Sequence, residues 1–236
     1  MEVTLKVRRF NPEQDEKPYF AEYTLKDVEP VDRVLDLLHH VKWYIDGTLA
    51  LRRSCAHGIC GSDAMRINGV NMLACKALVQ NLIKGERGTI QVEPMYGLKV
   101  IKDLVVDMEP FFDHYRSVMP FLVNDTIPEG GRERLQTPEQ RERFDEGTKC
   151  ILCAACTTSC PSYWANGTYV GPAAIVQAHR FIFDSRDEAG ADRLAVLSEE
   201  NGVWRCRTIF NCTTACPREI PVTQLIAEVK GEIGRR

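Results

Sequence analysis

Residues 150–161 read CILCAACTTSCP, and residues 206–217 read CRTIFNCTTACP. In the first string Cys150, Cys153 and Cys156 fall at every third place and are followed by Cys160 and a proline. The second string keeps that order with Cys206, Cys212, Cys216 and Pro217, but the slot for its middle cysteine, position 209, holds isoleucine. This pair is the one internal repeat in the chain. It has to be explained together with the total of 10 cysteines. The first residues, MEVTLKVRRFNPEQDEK, are charged from the second position and contain no apolar segment, so neither a secretory signal nor a transit peptide is visible. A chain that folds in a reducing compartment is expected to use cysteines for metal or catalysis rather than for disulfides.

Cys-x2-Cys-x2-Cys-x3-Cys-Pro is the spacing with which bacterial ferredoxins hold two clusters, three thiolates on one and the fourth on its neighbour. By that reciprocity Cys150, Cys153, Cys156 and Cys216 hold a 4Fe-4S cluster, and Cys160 joins Cys206 and Cys212 on the other. Ile209 has no ligand atom, so one corner of the second cage is unheld and the expected occupant is a 3Fe-4S cluster. Cluster type and net charge are among the terms that set reduction potential. The three-iron centre is therefore expected at the electron-accepting end. Zinc is the competing reading, but structural zinc takes four ligands, and seven cysteines divided four and three fit it poorly.

A separate set lies in RRSCAHGICGSDAMRINGVNMLACK, residues 52–76. Cys55 and Cys60 have the Cys-x4-Cys spacing of plant-type 2Fe-2S sites, which continue with x2-Cys and a distant fourth cysteine. Here the third slot is Asp63 and the distant cysteine is Cys75. A carboxylate oxygen is a harder ligand than a thiolate but a sensible one for ferric iron. The competing reading makes the three thiols core residues and Asp63 a turn cap. Gly58 and Gly61 would let the loop wrap the cluster and turn its amides toward sulfur. His57 is expected to be solvated, because the spacing is satisfied without it.

The length of 236 residues favours two domains. Thirty Lys and Arg against 33 Asp and Glu leave a net charge of -3, which gives no reason to bind nucleic acid. The first third reads as strands and turns: Val3, Leu5 and Val7 alternate with polar residues, and KPYFAEYTL forms a hairpin with them. Val34, Leu37, Leu38, Val41 and Ile45 have helical spacing, with Asp32 as cap. Short strands follow around AMRIN and TIQVEP. NDTIPEGG marks a boundary, and from Thr137 onward the chain reads as helix. No charged residue occurs from Cys150 to His179; this run is either a surface that meets a protein or a bilayer edge, or burial around metal. No nucleophile with its base, phosphate loop or acid pair is visible, so the chain carries no substrate chemistry of its own.

The order SCAHGICGSD, then CILCAACTTSCPSYW, then CRTIFNCTTACP resembles the iron–sulfur subunits of succinate dehydrogenase, with fumarate reductase next, over essentially the whole chain. The resemblance implies an α+β chain: an N-terminal β-grasp domain like plant ferredoxin (1–105), a linker (106–136) and an all-α ferredoxin-like domain (137–236). It implies an enzyme subunit that relays electrons from the FAD of a flavoprotein subunit through 2Fe-2S, 4Fe-4S and 3Fe-4S clusters to quinone. The quinone site is shared with membrane-anchor subunits, which can carry haem b. The equivalent subunit of quinol:fumarate reductase is the alternative. Such a subunit lies peripherally on the cytoplasmic face of a bacterial inner membrane, or on the matrix side in mitochondria. The matching quinone-side positions are Pro161, Ser162, Trp164 and Ile209. Many ubiquinone-reducing relatives have a second tryptophan after Trp164 and a histidine after the first cysteine of the closing string. This chain has Ala165 and Arg207 there, which keeps menaquinone in play.

Overall fold

The computed structural model describes residues 1–235, arranged as two compact units. The first comprises Met1–Met108 together with Ile151–Ser159; the second comprises Glu109–Cys150 and the described residues from Cys160 onward.

The first unit contains β1 (Glu2–Arg9), β2 (Tyr19–Leu25), α1 (Val34–His40), β3 (Ala64–Ile67), β4 (Val70–Leu73), α2 (Val79–Leu82), β5 (Arg87–Glu93), β6 (Val100–Lys102) and β7 (Val105–Val106). Five strands form one mixed sheet in the order β2-β1-β5-β3-β4, with β1 parallel to β5 and the other pairs antiparallel. Alternation decides the register. Leu5 lies opposite Tyr23 on one side and Ile90 on the other, and Val7 lies opposite Val92, so one face of the sheet carries a continuous buried row. Helix α1 buries Val34, Leu35, Leu37 and Leu38.

Two details differ from the expectation for this helix. Arg33, not Asp32, occupies the N-cap, and Asp36 accepts its N–H. Asp32 has turned back to accept the N–H of Glu29 in the preceding turn, which uses up its capping oxygen. Beyond His40 the chain widens into a π-helical turn, Val41–Ile45. The loop that follows is pinned from inside. Buried Arg9 donates to Asp46 (2.6 Å), Tyr23 (2.6 Å), Thr48 (2.9 Å) and Asp103 (3.0 Å), and Asp103 also accepts from the backbone of Phe10 and Ala50. This network fixes the stretch that leads into the first cysteine set.

Further along lie α3 (Glu109–Ser117), α4 (Pro138–Thr148), α5 (Ala155–Thr158), α6 (Pro161–Ala165), α7 (Gly171–Ile182), α8 (Gly190–Ser198), α9 (Asn211–Thr214) and α10 (Val222–Gly234). Short α5 belongs to the first unit, where the buried amide of Asn71 donates to Thr158 Oγ1 and Ser159 Oγ, each at 2.9 Å. In the second unit α7 is central and packs on α3, α4, α8 and α10. Thr137 opens α4 with a reciprocal cap to Gln140, and Pro138 stands at the first helical position.

The uncharged run divides. Residues Gly171–His179 are all buried in α7, so core packing explains their lack of charge, while Trp164, Ala165, Gly167 and Thr168 are exposed. Of the segment expected as a linker, 106–136, residues 106–108 fall in the first unit, and from Glu109 onward it carries α3 and falls in the second unit. Arg193 and Asp187, both with fully buried side chains, form an ion pair, and Arg193 donates further to the carbonyls of Val118, Met119 and Phe121. Among the described residues no helix is long and apolar enough to cross a membrane.

Candidate metal centres

The loop from Cys55 to Cys60 runs through left-handed backbone at Ala56 (φ 59°) and Gly58 (φ 85°), which turns successive amides inward. The N–H groups of His57, Ile59 and Cys60 all point at Cys55 Sγ, at 3.3 to 3.4 Å. Those amides, that of His57 foremost, lower the Cys55 thiol to about 6. Cys60 Sγ lies 3.2 Å from Ser62 Oγ and accepts the Cys55 N–H. His57 is exposed, with Nδ1 2.7 Å from the carbonyl of Cys55.

Asp63 is 2% exposed. Its Oδ2 accepts the Cys75 N–H at 2.6 Å, as a turn cap would, but its Oδ1 is buried without a partner. A buried carboxylate oxygen with nothing to accept is costly, and an iron ion at that place would satisfy it. Cys75 beside it is pushed up to about 12, first by burial and then by the Asp63 carboxylate, with the charge of Cys55 adding to it. Anionic ligands crowded and buried in this way are stabilised by a cationic centre. Gly61 (φ 69°) lets this loop pack directly on the next cysteine string: a Cβ there would sit 2.7 Å from Cys153 Cβ. The donor set and the cradle both fit a 2Fe-2S cluster.

The two repeated strings share their backbone as well as their letters. Leu152 (φ 54°) and Ala154 (φ 62°) take left-handed conformations two and four residues after Cys150; Thr208 (φ 56°) and Phe210 (φ 69°) do the same after Cys206. A four-residue helix follows each, α5 and α9. The second loop therefore keeps its cluster-binding form although Ile209 replaces cysteine. Ile209 is 48% exposed.

In the second unit Cys160, Cys206 and Cys212 line one pocket together with Pro161, Ser162, Arg207 and Ile209. Burial raises the thiol of Cys212, the hydroxyl of Thr223 pulls it down, and the charges of Cys160 and Cys206 push it up again. Trp164, the remaining quinone-side candidate, is exposed on α6 and does not line the pocket. Helix α10 supplies residues that the sequence reading did not single out: Thr223 Oγ1 is 3.5 Å from Cys212 Sγ, and Lys230 Nζ donates to the Cys206 carbonyl at 2.9 Å. Their only signal in the sequence is helical spacing after a cysteine–proline, which does not distinguish them. Cys150 and Cys216 fall in the second unit and Cys153 and Cys156 in the first; their grouping rests on the spacing rule. Among the described residues no three His, Cys, Asp or Glu side chains converge on one ion. Thiolates of a cubane each bind a different iron, and each iron of a 2Fe-2S cluster takes two protein ligands, so no three side chains need converge on one ion.

Two cysteine-rich units, one a mixed sheet and one helical, define a multicluster iron–sulfur protein. Comparison with known proteins agrees. A 2Fe-2S iron-sulfur cluster binding domain matches residues 4–113 and a 4Fe-4S dicluster domain matches residues 146–220. The succinate dehydrogenase iron-sulfur subunit of Coxiella burnetii is 42% identical over 235 residues, 98% of this chain and 97% of that protein. The mitochondrial succinate dehydrogenase [ubiquinone] iron-sulfur subunit of Dictyostelium discoideum is 44% identical over 97% of this chain and 81% of its own length. A chain of the Mycobacterium smegmatis Sdh1 complex in the apo form superposes with a TM-score of 0.87 at 26% identity, covering 100% of this chain and 96% of that one. The chain belongs to the family of succinate dehydrogenase iron–sulfur subunits.

Proposed function

We propose that this chain relays electrons in a succinate:quinone oxidoreductase, from the FAD of a flavoprotein subunit to a quinone bound beside membrane-anchor subunits. The observation that carries the reading is the pocket that gathers Cys160, Cys206 and Cys212 around a position where Ile209 supplies no fourth sulfur. These three thiolates would hold a 3Fe-4S cluster. Cys150, Cys153, Cys156 and Cys216 would hold the 4Fe-4S cluster, and Cys55, Cys60, Asp63 and Cys75 the 2Fe-2S cluster. When bound, such clusters supply one-electron redox chemistry at potentials that ligands, hydrogen bonds and exposure adjust.

The residues around the clusters then have definite tasks. The amides of His57, Ile59 and Cys60 stabilise the negative sulfur of Cys55. Pro161, Ser162, Ile209 and Arg207 border the three-iron side and meet the quinone, with Ile209 as apolar wall; Trp164 is assigned to the same face. Arg207 can donate to a quinone oxygen or a haem propionate, but a guanidinium does not release a proton as histidine does. That difference favours testing menaquinone beside ubiquinone. The relatives carry the succinate dehydrogenase name, which favours this direction over quinol:fumarate reductase. The site of action proposed is peripheral, on the cytoplasmic face of a bacterial inner membrane or its mitochondrial counterpart.

The test is low-temperature EPR of anaerobically prepared complex, together with quinone reductase assays on both quinone types. An oxidised three-iron signal beside a separate reduced 2Fe-2S signal is expected. A complete four-iron cubane at both helical-domain sites, or zinc without iron, would refute the reading. Equal activity with ubiquinone and menaquinone would remove the inference from Arg207 and Ala165.

A further inference from the structure

Cys212 is buried, and a hydroxyl from a different helix lies within hydrogen-bond reach of its sulfur. Thr223 lies at the second position of α10, is 5% exposed, and brings Oγ1 to 3.5 Å from Cys212 Sγ. Its backbone N–H, one of the donors left over at a helix N-terminus, goes to Thr213 Oγ1 at 3.0 Å. The two hydroxyl oxygens are 2.9 Å apart.

Proton counting fixes the direction of this small circuit. A ligand thiolate accepts hydrogen bonds and donates none, so the Thr223 hydroxyl must donate to sulfur. Its proton being spent there, the bond between the hydroxyls is donated by Thr213. The order is then Thr223 N–H to Thr213 Oγ1, Thr213 O–H to Thr223 Oγ1, and Thr223 O–H to Cys212 Sγ. Each bond polarises the next, and the chain starts at the positive end of the 13-residue α10.

We propose that Thr223, polarised by Thr213, is a positioning residue that raises the reduction potential of the three-iron centre by hydrogen-bonding its Cys212 ligand. This inference rests on the three-iron reading above and deepens it. Reduction adds negative charge to the cluster and its sulfurs, so a donor aimed at sulfur stabilises the reduced form more than the oxidised one. A residue that merely packed beside the cysteine would not distinguish the two.

The experiment is a redox titration of the assembled complex followed by low-temperature EPR, on wild type, Thr223→Val, Thr223→Ser and Thr213→Val. Thr223→Val keeps the volume and removes the hydroxyl; the three-iron midpoint is expected to fall, while the 2Fe-2S midpoint stays where it was. Thr223→Ser is expected to keep the wild-type midpoint, and Thr213→Val to shift it less than Thr223→Val in the same direction. An unmoved midpoint in Thr223→Val overturns the proposal, as does an equal shift in Thr223→Ser, which would assign the effect to packing. Should Thr223→Val not assemble, an unmoved midpoint in Thr213→Val overturns it. A wild-type complex without an oxidised three-iron signal would instead refute the underlying reading, so the two failures are distinguishable.

Discussion

If the proposed three-iron centre is open only because Ile209 brings no ligand atom, replacing Ile209 with cysteine should turn it into a four-iron one. The loop is already shaped for it. Thr208 and Phe210, which flank the position, repeat the left-handed conformations of Leu152 and Ala154 around Cys153, with φ of 56° and 69° against 54° and 62°. A cysteine at 209 would leave the backbone as Cys153 does, with no conformational strain to add. The loss of apolar burial is small, because Ile209 is 48% exposed. Complete burial of such a side chain is worth about 1.5–3 kcal/mol, so removing part of half of it costs under ~1 kcal/mol. The variant should therefore fold and assemble, gain one iron per chain and lose the oxidised three-iron EPR signal. Its midpoint is expected to drop, since cluster type is among the determinants of potential. For a one-electron centre each ~59 mV of that drop moves the equilibrium tenfold away from reduction. Iron analysis, EPR and redox titration on the same preparation measure all three quantities. An unchanged three-iron signal accompanied by a titratable free thiol at position 209 would refute the argument that only the ligand atom is missing.

Asp63→Asn keeps the shape but removes the anionic oxygen, and should lose most of the reduced 2Fe-2S signal in EPR; a full signal would mean that Asp63 only caps the Cys75 amide. Arg193→Met leaves Asp187 as a lone buried charge and frees the carbonyls of Val118, Met119 and Phe121. Loss of one partner from such a pair costs about 3–5 kcal/mol, which thermal unfolding would detect as a large drop; a change under ~1 kcal/mol would show that the pair is dispensable. Glu228 is held at about 2: burial pushes its carboxyl up, but hydrogen bonds from His179, Arg143 and Gln224 outweigh it. Burial also holds His179 below its ordinary value, against the pull of Glu228. Both groups sit below their unfolded values, so stability present near neutral pH is lost as pH falls, first below about 6.5 and again from about 4.5 toward 2. Glu228→Gln should lower the melting temperature at pH 7 and flatten its decline below pH 4.5; an acid limb as steep as in wild type would exclude Glu228 from it.

How much of this could be read in advance depends on whether a property is local. Val3, Leu5 and Val7 alternate because strand pleating has a period of two, so β1 and its buried face were visible from the letters alone. Asp32 was a reasonable cap by type, but which residue stands at the N-cap depends on how the preceding turn closes, and with Asp32 taken by the Glu29 N–H that place falls to Arg33. The uncharged run from Cys150 to His179 is ambiguous for the same reason: absence of charge marks burial and partner surfaces alike, and only packing separated buried α7 from exposed Trp164. The segment 106–136 looked like a connector because its anchor, Arg193, lies more than seventy residues away in sequence.

The cysteine spacing was enough by itself to point to a multicluster iron–sulfur chain, and with the isoleucine that interrupts it to propose a division of ligands, because the reach of a short loop around a cluster leaves few workable spacings. Asn71 beneath α5, Thr223 and Lys230 behind Cys212 and Cys206, and the unpartnered oxygen of Asp63 became visible only in three dimensions. Ligands repeat along the chain at distances set by the metal centre, whereas the groups that hold and polarise those ligands come from wherever the fold folds back, and no period in the sequence records that.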